Sequence, residues 1–228
     1  MDRTSSFSEA MEWALSICGE LNVPRVWIPE KAFVEALRDG SSISFTRKSE
    51  DGLFGLAIGS NPVVLPEWNE FALPQGVDHS LAGGATFHDD WETHAIATRS
   101  QSYEIEFIEE DDVIEEFLAT HAPNSSARPG NPEVQFWGCV RNDRGELAAI
   151  AAITEWESEE KMLSSVATHT DMRGKGYAQR LCSGLVGLAF DRGIDRINLV
   201  ALSSNVAALK VYEKIGFTCI GKFSSYSR

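Results

Sequence analysis

A short loop constrains this chain more than any other stretch of it. Between a run of strand character, KMLSSVAT (161–168), and a helical run that begins at Tyr177, the sequence reads RGKGYA, Arg173 to Ala178. Gly174 and Gly176 let the backbone turn tightly and hold no side chain against an approaching ligand. The amides then point into the mouth of the following helix, whose N-terminus carries a partial positive charge. That combination binds phosphate without a dedicated side chain. Arg173, Lys175 and Arg180 add local positive charge to a chain of formal net charge −14. Taken alone, the loop fits a phosphate cradle and a plain strand-to-helix turn equally well.

The pattern around the loop is regular from about Ser102 onward. SYEIEFI alternates like a strand, and EEDDVIEEFLATHA follows as a helix with acids in its first turn, where the dipole favours them. NSSARPGNPE is a loop. VQFWGCV and ELAAIAAIT read as two strands joined by RNDRG, a polar turn containing Gly145. After the third strand and the glycine loop, Tyr177 to Asp191 forms a helix that buries Ala178, Leu181, Cys182, Leu185, Leu188 and Ala189 at three- and four-residue spacing. Gly193 stops it. RINLVALS is an apolar strand, NVAALKVYEKI a second amphipathic helix stopped by Gly216, and FTCIGKFSSY a closing strand. This order predicts an α/β (α+β) domain over 101–228, with hairpins in its middle and crossovers at its end.

Residues 1–100 form a region that pattern does not assign to a fold. Helices are expected at Ser8–Leu21 and Glu30–Arg38, the second closed by Asp39-Gly40, and strands at Ser42–Phe45 and Leu53–Ile58. A stretch rich in Pro, Gly and aromatics follows over 61–84, and a connection that long without structure is unusual in a compact domain. HDDWETH places His88 and His94 near three acids. Their spacing of six fits neither one helical face nor a short zinc motif, so they are expected as surface or loop residues with no metal.

Composition excludes several classes. A strongly acidic chain does not bind nucleic acid through a broad basic face; its charge instead steers cationic partners such as amines. No apolar run approaches the roughly 18 residues that cross a bilayer. The first residues carry acids within their apolar stretch, as an amphipathic helix does and a secretion signal does not. Cys18, Cys139, Cys182 and Cys219 are scattered, the usage of buried thiols in a reducing cytosol, so a cytoplasmic protein is expected.

Three phosphate-binding loops compete for RGKGYA. A Walker loop needs Ser or Thr after Gly-Lys, whereas Gly176 is followed by Tyr177. A dinucleotide fingerprint needs a third glycine where Gln179 stands, and Asp195 comes before its strand rather than at the strand's end. The third pattern, [QR]-x-x-G-x-[GA], is met at every position by Arg173, Gly176 and Ala178. With the preceding strand, the N-x-x-A-x-x-x-Y segment at Asn205, Ala208 and Tyr212, and YEKIGF ending at Phe217, the chain from about Ser102 resembles the GNAT superfamily of acyl-CoA-dependent N-acyltransferases. LSSVATHTDMRGKGYAQRL and NLVALSSNVAALKVYEKIGF resemble its glycine-N-acyltransferase-like branch.

The resemblance implies a mixed, largely antiparallel sheet flanked by helices, with acetyl-CoA as co-substrate. It implies that amides from Arg173, Gly174, Lys175, Gly176, Tyr177 and Ala178 hold the pyrophosphate, and that backbone groups of Val166, Ala167 and Thr168 pair with the pantetheine arm. Asn205, Ala208 and Tyr212 share one helix face; with the motif upstream, Ala208 leaves room for the cofactor and Tyr212 is the expected general acid to the leaving thiolate. Many family members carry a glutamate where this chain has Met162, so the base is open. Ser164 could order a water, His169 is ionisable but in the loop, and Glu155, with Glu157 beside it, is the expected base by proximity. The acceptor is a small-molecule or peptide amine, with transfer to glycine and a non-catalytic acyl-CoA sensor as the alternatives. Residues 1–100 would cover the acceptor side, as a degenerate copy of the same fold.

Overall fold

The structure, a computed structural model, describes residues 1–19, 22–99 and 103–228, with the backbone alone at Asn22. Along the chain run β1 (Asp2–Thr4), α1 (Phe7–Cys18), α2 (Asn22–Trp27), β2 (Phe33–Asp39), β3 (Ser42–Ser49), β4 (Gly52–Ile58), β5 (Glu70–Pro74) and β6 (Thr86–Ile96). There follow β7 (Glu106–Phe107), α3 (Asp111–His121), β8 (Val134–Arg141), β9 (Leu147–Glu155), β10 (Lys161–Thr168), α4 (Tyr177–Asp191), β11 (Ile197–Leu202), α5 (Val206–Ile215) and β12 (Thr218–Ser227). The chain divides into two compact units. One is Met1–Thr93 with Ala201–Ser204 and Cys219–Arg228; the other is His94–Val200 with Asn205–Thr218. The boundary expected at 100/101 falls outside the described residues.

In the first unit β1, β2, β3 and β4 pair antiparallel in sequence order, and β5 joins β4 in parallel. The C-terminal β12 then pairs antiparallel with β5, Phe223 opposite Pro74 and Ser227 opposite Glu70. So a strand from the end of the chain pairs with one from its first half. Trp68, Phe71 and Leu73 are buried beside Tyr226 at the centre of one of its apolar clusters.

Three local expectations are corrected here. The segment 30–38 is a 3-10 turn at Glu30–Ala32 followed by β2, not a helix. Its apolar spacing suits either period. Pairing with β1 on one side and β3 on the other decides for the strand, and Gly40 with φ 58° makes the two-residue hairpin turn rather than a helix stop. HDDWETH lies inside β6, not in a loop. Of the strand expected over SYEIEFI, only Glu106–Phe107 pairs, against Cys139 and Gly138; its start, Ser102, lies outside the described residues. The stretch 61–84 holds β5 and a 3-10 turn at His79–Ala82.

In the second unit β7, β8, β9 and β10 pair antiparallel in order, and β10 runs parallel to β11. The two units thus share one succession of strand senses, three antiparallel pairs and then a parallel one. Strand alternation assigns the faces. Trp137 and Cys139 turn with Ile150, Ala152 and Ala167 toward Ile114, Phe117 and Leu118 of α3. Between them Gly138 faces α4, where a Cβ would stand 2.8 Å from Leu185 Cδ2. Leu181, Cys182, Leu185 and Ala189 fill that side and are fully buried. Each Leu or Ile so covered contributes about 1.5–3 kcal/mol. α4 and α5 begin and end where the sequence predicts, α5 capped by Asn205, whose side chain accepts from Ala208 N, and stopped by Gly216 at φ 109°.

Candidate acyl-CoA cleft

The site begins with an irregularity in β10. Ser164 stands opposite Ala152 but Ala167 opposite Ile150, so β10 holds one residue more than β9 over this span. That is a β-bulge. On its other side, the register of β10 with β11 covers one pair, Met162 opposite Asn198. Beyond it Val166, Ala167 and Thr168 line a cavity of about 510 Å³. This is within the roughly 300–1,000 Å³ usual for small-molecule sites.

The glycine loop closes one end of the cavity. Arg173, Gly174, Gly176, Tyr177 and Ala178 all line it. Gly174 and Gly176 adopt φ 76° and 84°, the left-handed region that disfavours any residue with a Cβ. A Cβ at either would meet nothing within 4 Å, so both positions open onto free space. Gly176 is the N-cap of α4, and its carbonyl receives Arg180 N at 3.0 Å. The amides of Gly174 to Gln179 have no acceptor among the described residues, as expected of a loop entering a helix. The Arg173 side chain is spent on the frame: its guanidinium donates to His121 O (2.7 Å) and Thr168 O (3.4 Å). Lys175 alone of the six lies off this cavity. It lines a neighbouring one of about 820 Å³ and donates to Asp171 O.

α5 lines the same cavity. Asn205, Ala208 and Tyr212 line the cavity together, as their spacing on one helix face requires. Tyr212 is 8 % exposed and packs edge-on against Phe217. Burial pushes its phenol well above the usual tyrosine range, with the Cys182 thiol adding in the same direction.

Other expected residues lie elsewhere. Glu155 is outside the cavity lining: its carboxylate pairs with Lys161 and its amide donates to Glu133 O, at the end of the β9–β10 hairpin away from the glycine loop. Ser164 bonds Thr154, hydroxyl to hydroxyl, at 2.8 Å. His169 Nδ1 accepts from Asp171 N, capping a 3-10 turn at Thr170–Met172. His88 bonds Ser227, while His94 is buried. Six residues along one strand puts the two histidines about 20 Å apart, too far to share an ion.

Two residues, one lining the cavity and one on β11 where the pairing with β10 is seen, carry no signal strong enough to single out in advance. His121, at the C-terminus of α3, lines both cavities with its ring 4.2 Å from that of His169. Burial lowers its pKa, as do His169 and Arg173, against Asp171. Asn198 is a fully buried polar residue within the apolar β11. The break in an otherwise apolar run was its only trace in the sequence.

Comparison with known proteins agrees with this geometry. Residues 99–217 match the model of the acetyltransferase (GNAT) family. The chain belongs to that family. Over 97 residues it is 30 % identical to the uncharacterized N-acetyltransferase YsnE of Bacillus subtilis, a match spanning 42 % of this chain and 63 % of that relative. Among solved structures, the GCN5-related N-acetyltransferase from Sphaerobacter thermophilus covers 100 % of this chain and 95 % of its own, with a TM-score of 0.59 at 14 % identity. The GCN5-related N-acetyltransferase from Kribbella flavida covers 94 % and 95 %, with a TM-score of 0.55 at 15 % identity. At such identities the structures establish the fold. These matches support the GNAT family and not the glycine-N-acyltransferase-like branch.

The residues present fit an acyl-CoA. Its pyrophosphate needs unpaired amides, which Gly174 to Gln179 offer, and its pantetheine amides need an unpaired strand edge, which β10 offers after the bulge. The lining contains Arg173 and Lys214 and, among the described residues, no carboxylate, in a chain of net charge −14. Acids that would repel a polyanion are thus kept off this surface.

Proposed function

We propose that the chain is an N-acyltransferase that passes an acetyl group from acetyl-CoA to a primary amine of a small molecule or peptide. The observation that carries this reading is the convergence on one cavity of the Arg173–Ala178 loop, the β10 edge at Val166–Thr168 and the Asn205–Ala208–Tyr212 face of α5. When bound, acetyl-CoA would supply an activated acyl carbon and a thiolate leaving group. The loop amides would hold the phosphates and the β10 edge would align the arm. Tyr212, kept protonated by burial, would give its proton to the sulfur as the carbon–sulfur bond breaks. An ammonium cannot attack, so the acceptor must arrive as the neutral amine or lose its proton to water. The acidic surface would concentrate cationic acceptors.

The catalytic domain in this reading is 101–228. The N-terminal region would be a degenerate copy. Its strands repeat the same senses, but no α-helix stands between β4 and β5 where α4 follows β10. Among the described residues no helix is long and apolar enough to cross a membrane, and scattered cysteines suit the cytoplasm.

The lack of a carboxylate in the described lining favours one rival, a sensor that binds acyl-CoA without turning it over. Free-thiol release from acetyl-CoA across a panel of amines and peptides separates the two. Thiol release that depends on an amine supports the transferase; saturable binding with no release across the panel assigns the sensor instead.

A further inference from the structure

Ser165 is the one non-glycine residue of β10 with a positive φ, 52°. That conformation is costly for a residue with a Cβ and persists only where the surroundings enforce it. The enforcement is visible. Ser165 Oγ accepts from Ala127 N at 2.8 Å and donates to Ala127 O at 2.9 Å, so one hydroxyl satisfies both backbone groups of one residue. Ala127 is 3 % exposed and lies midway along the 122–133 loop that joins α3 to β8. The loop starts at Ala122 on the cavity rim and ends at Glu133, whose carbonyl receives Glu155 N. The residues immediately after Ser165, Val166 to Thr168, form the β10 side of the cavity.

We propose that Ser165 is a positioning residue that couples cofactor occupancy at Val166–Thr168 to the order of the 122–133 loop. The inference rests on the acyl-CoA reading of the cleft. The reasoning is one of register. If Ser165 relaxed to an extended conformation, the bulge would be lost and the strand after it would slip by one residue. Such a slip turns every later side chain to the opposite face. The hydroxyl would also swing away from Ala127. Bulge and cleft-facing edge therefore form one arrangement, and the Ser165 hydroxyl ties the loop to it. A ligand that pairs with the edge stabilises the bulged register, and through Ser165 it stabilises the loop. By linkage, a loop held in place favours the ligand to the same degree.

Hydrogen–deuterium exchange with and without CoA tests this in the wild type, Ser165→Gly and Ser165→Ala, each checked first by its melting temperature. Glycine accepts the backbone conformation without strain but lacks the hydroxyl, so a purely structural role would appear as a fall in melting temperature. The expected result is different. Ser165→Gly melts close to the wild type, the relief of backbone strain offsetting the lost hydroxyl bonds, binds CoA about five-fold more weakly, and on binding protects 162–168 but no longer 122–133. Ser165→Ala, with the Cβ retained, melts lower and shows the same uncoupling. If CoA still protects 122–133 in both variants as in the wild type, Ser165 does not couple the two. If the wild type binds no CoA, the acyl-CoA reading fails and the coupling fails with it.

Discussion

Met162 stands opposite Asn198 where β10 and β11 run parallel, and four residues further along β10 Val166 already lines the cavity. The pair marks the place from which the strands open. Asn198 secures it: its side-chain amide donates to Glu160 Oε2 at 2.8 Å, and its oxygen accepts from Arg196 Nε at 2.9 Å. Asn198→Leu removes these bonds, and a longer one to Lys161 O at 3.5 Å, at a fully buried position. A loss of about 1–3 kcal/mol is expected in urea unfolding, with weaker CoA binding in the folded protein. An unchanged midpoint would mean that Glu160 and Arg196 do without it.

Gly176 combines two requirements. Its φ of 84° disfavours a side chain, and the space above it is open to a ligand. Gly176→Val therefore carries a backbone cost of about 1–2 kcal/mol and projects into the proposed pyrophosphate position. CoA affinity should fall at least tenfold by calorimetry, more than the change in stability accounts for. Equal affinity would place the phosphates elsewhere.

The C-terminal order of elements and both of the helices that flank the cleft were legible because each carries its own signals. α5 has a capping asparagine at one end and a left-handed glycine at the other, with Ala208 and Tyr212 in phase between them. β2 was not legible, since FVEALRD has apolar residues at both helical and strand spacing and only its neighbours β1 and β3 settle the matter. Nor was the joining of β12 to β5, a pairing between residues about 150 apart that leaves no local trace. Within the candidate site, the glycines marked the loop that lines the cavity. Side-chain placement was less legible: Glu155 lies near β10 in sequence, but the hairpin carries it to the end of the strand away from the cavity.

Glu155 is correspondingly expected to be dispensable for transfer. Its ion pair with Lys161 is partly exposed, and such pairs are worth about 0–1 kcal/mol. Glu155→Gln should leave the amine-dependent rate within about twofold, a small change in barrier, and shift the melting temperature slightly. A fall of tenfold or more with altered pH dependence would restore it as the base.

Cys182 lies fully buried under the cleft, and burial pushes its thiol up to about 12. A raised pKa means that the unfolded chain ionises first as pH rises. Its stabilisation is complete below about pH 8.5–9 and is lost progressively as pH climbs toward about 12, on the order of 4 kcal/mol in all. Tyr212, shifted in the same direction, adds to the loss above about pH 10. Urea unfolding at pH 8 and pH 10.5 should show a marked drop in the wild type and a shallower one in Cys182→Ala. Parallel drops would exclude the thiol as the source.

Tyr212→Phe isolates the proposed proton donor. The ring remains, so packing against Phe217 and the width of the cavity are preserved. The turnover number should fall about 10²-fold or more, the range of a lost general acid, while the Michaelis constant for acetyl-CoA stays within about twofold because in the proposed mode backbone groups would hold the phosphates and pantetheine. The pH–rate profile adds a second readout. Burial keeps the phenol protonated beyond the usual tyrosine range, so the wild type should lose no activity to its ionisation below about pH 10. A profile that falls with a midpoint near 8 in the wild type and flattens in Tyr212→Phe would show a phenol far more acidic than its burial allows. Unchanged turnover in Tyr212→Phe would remove it as the acid.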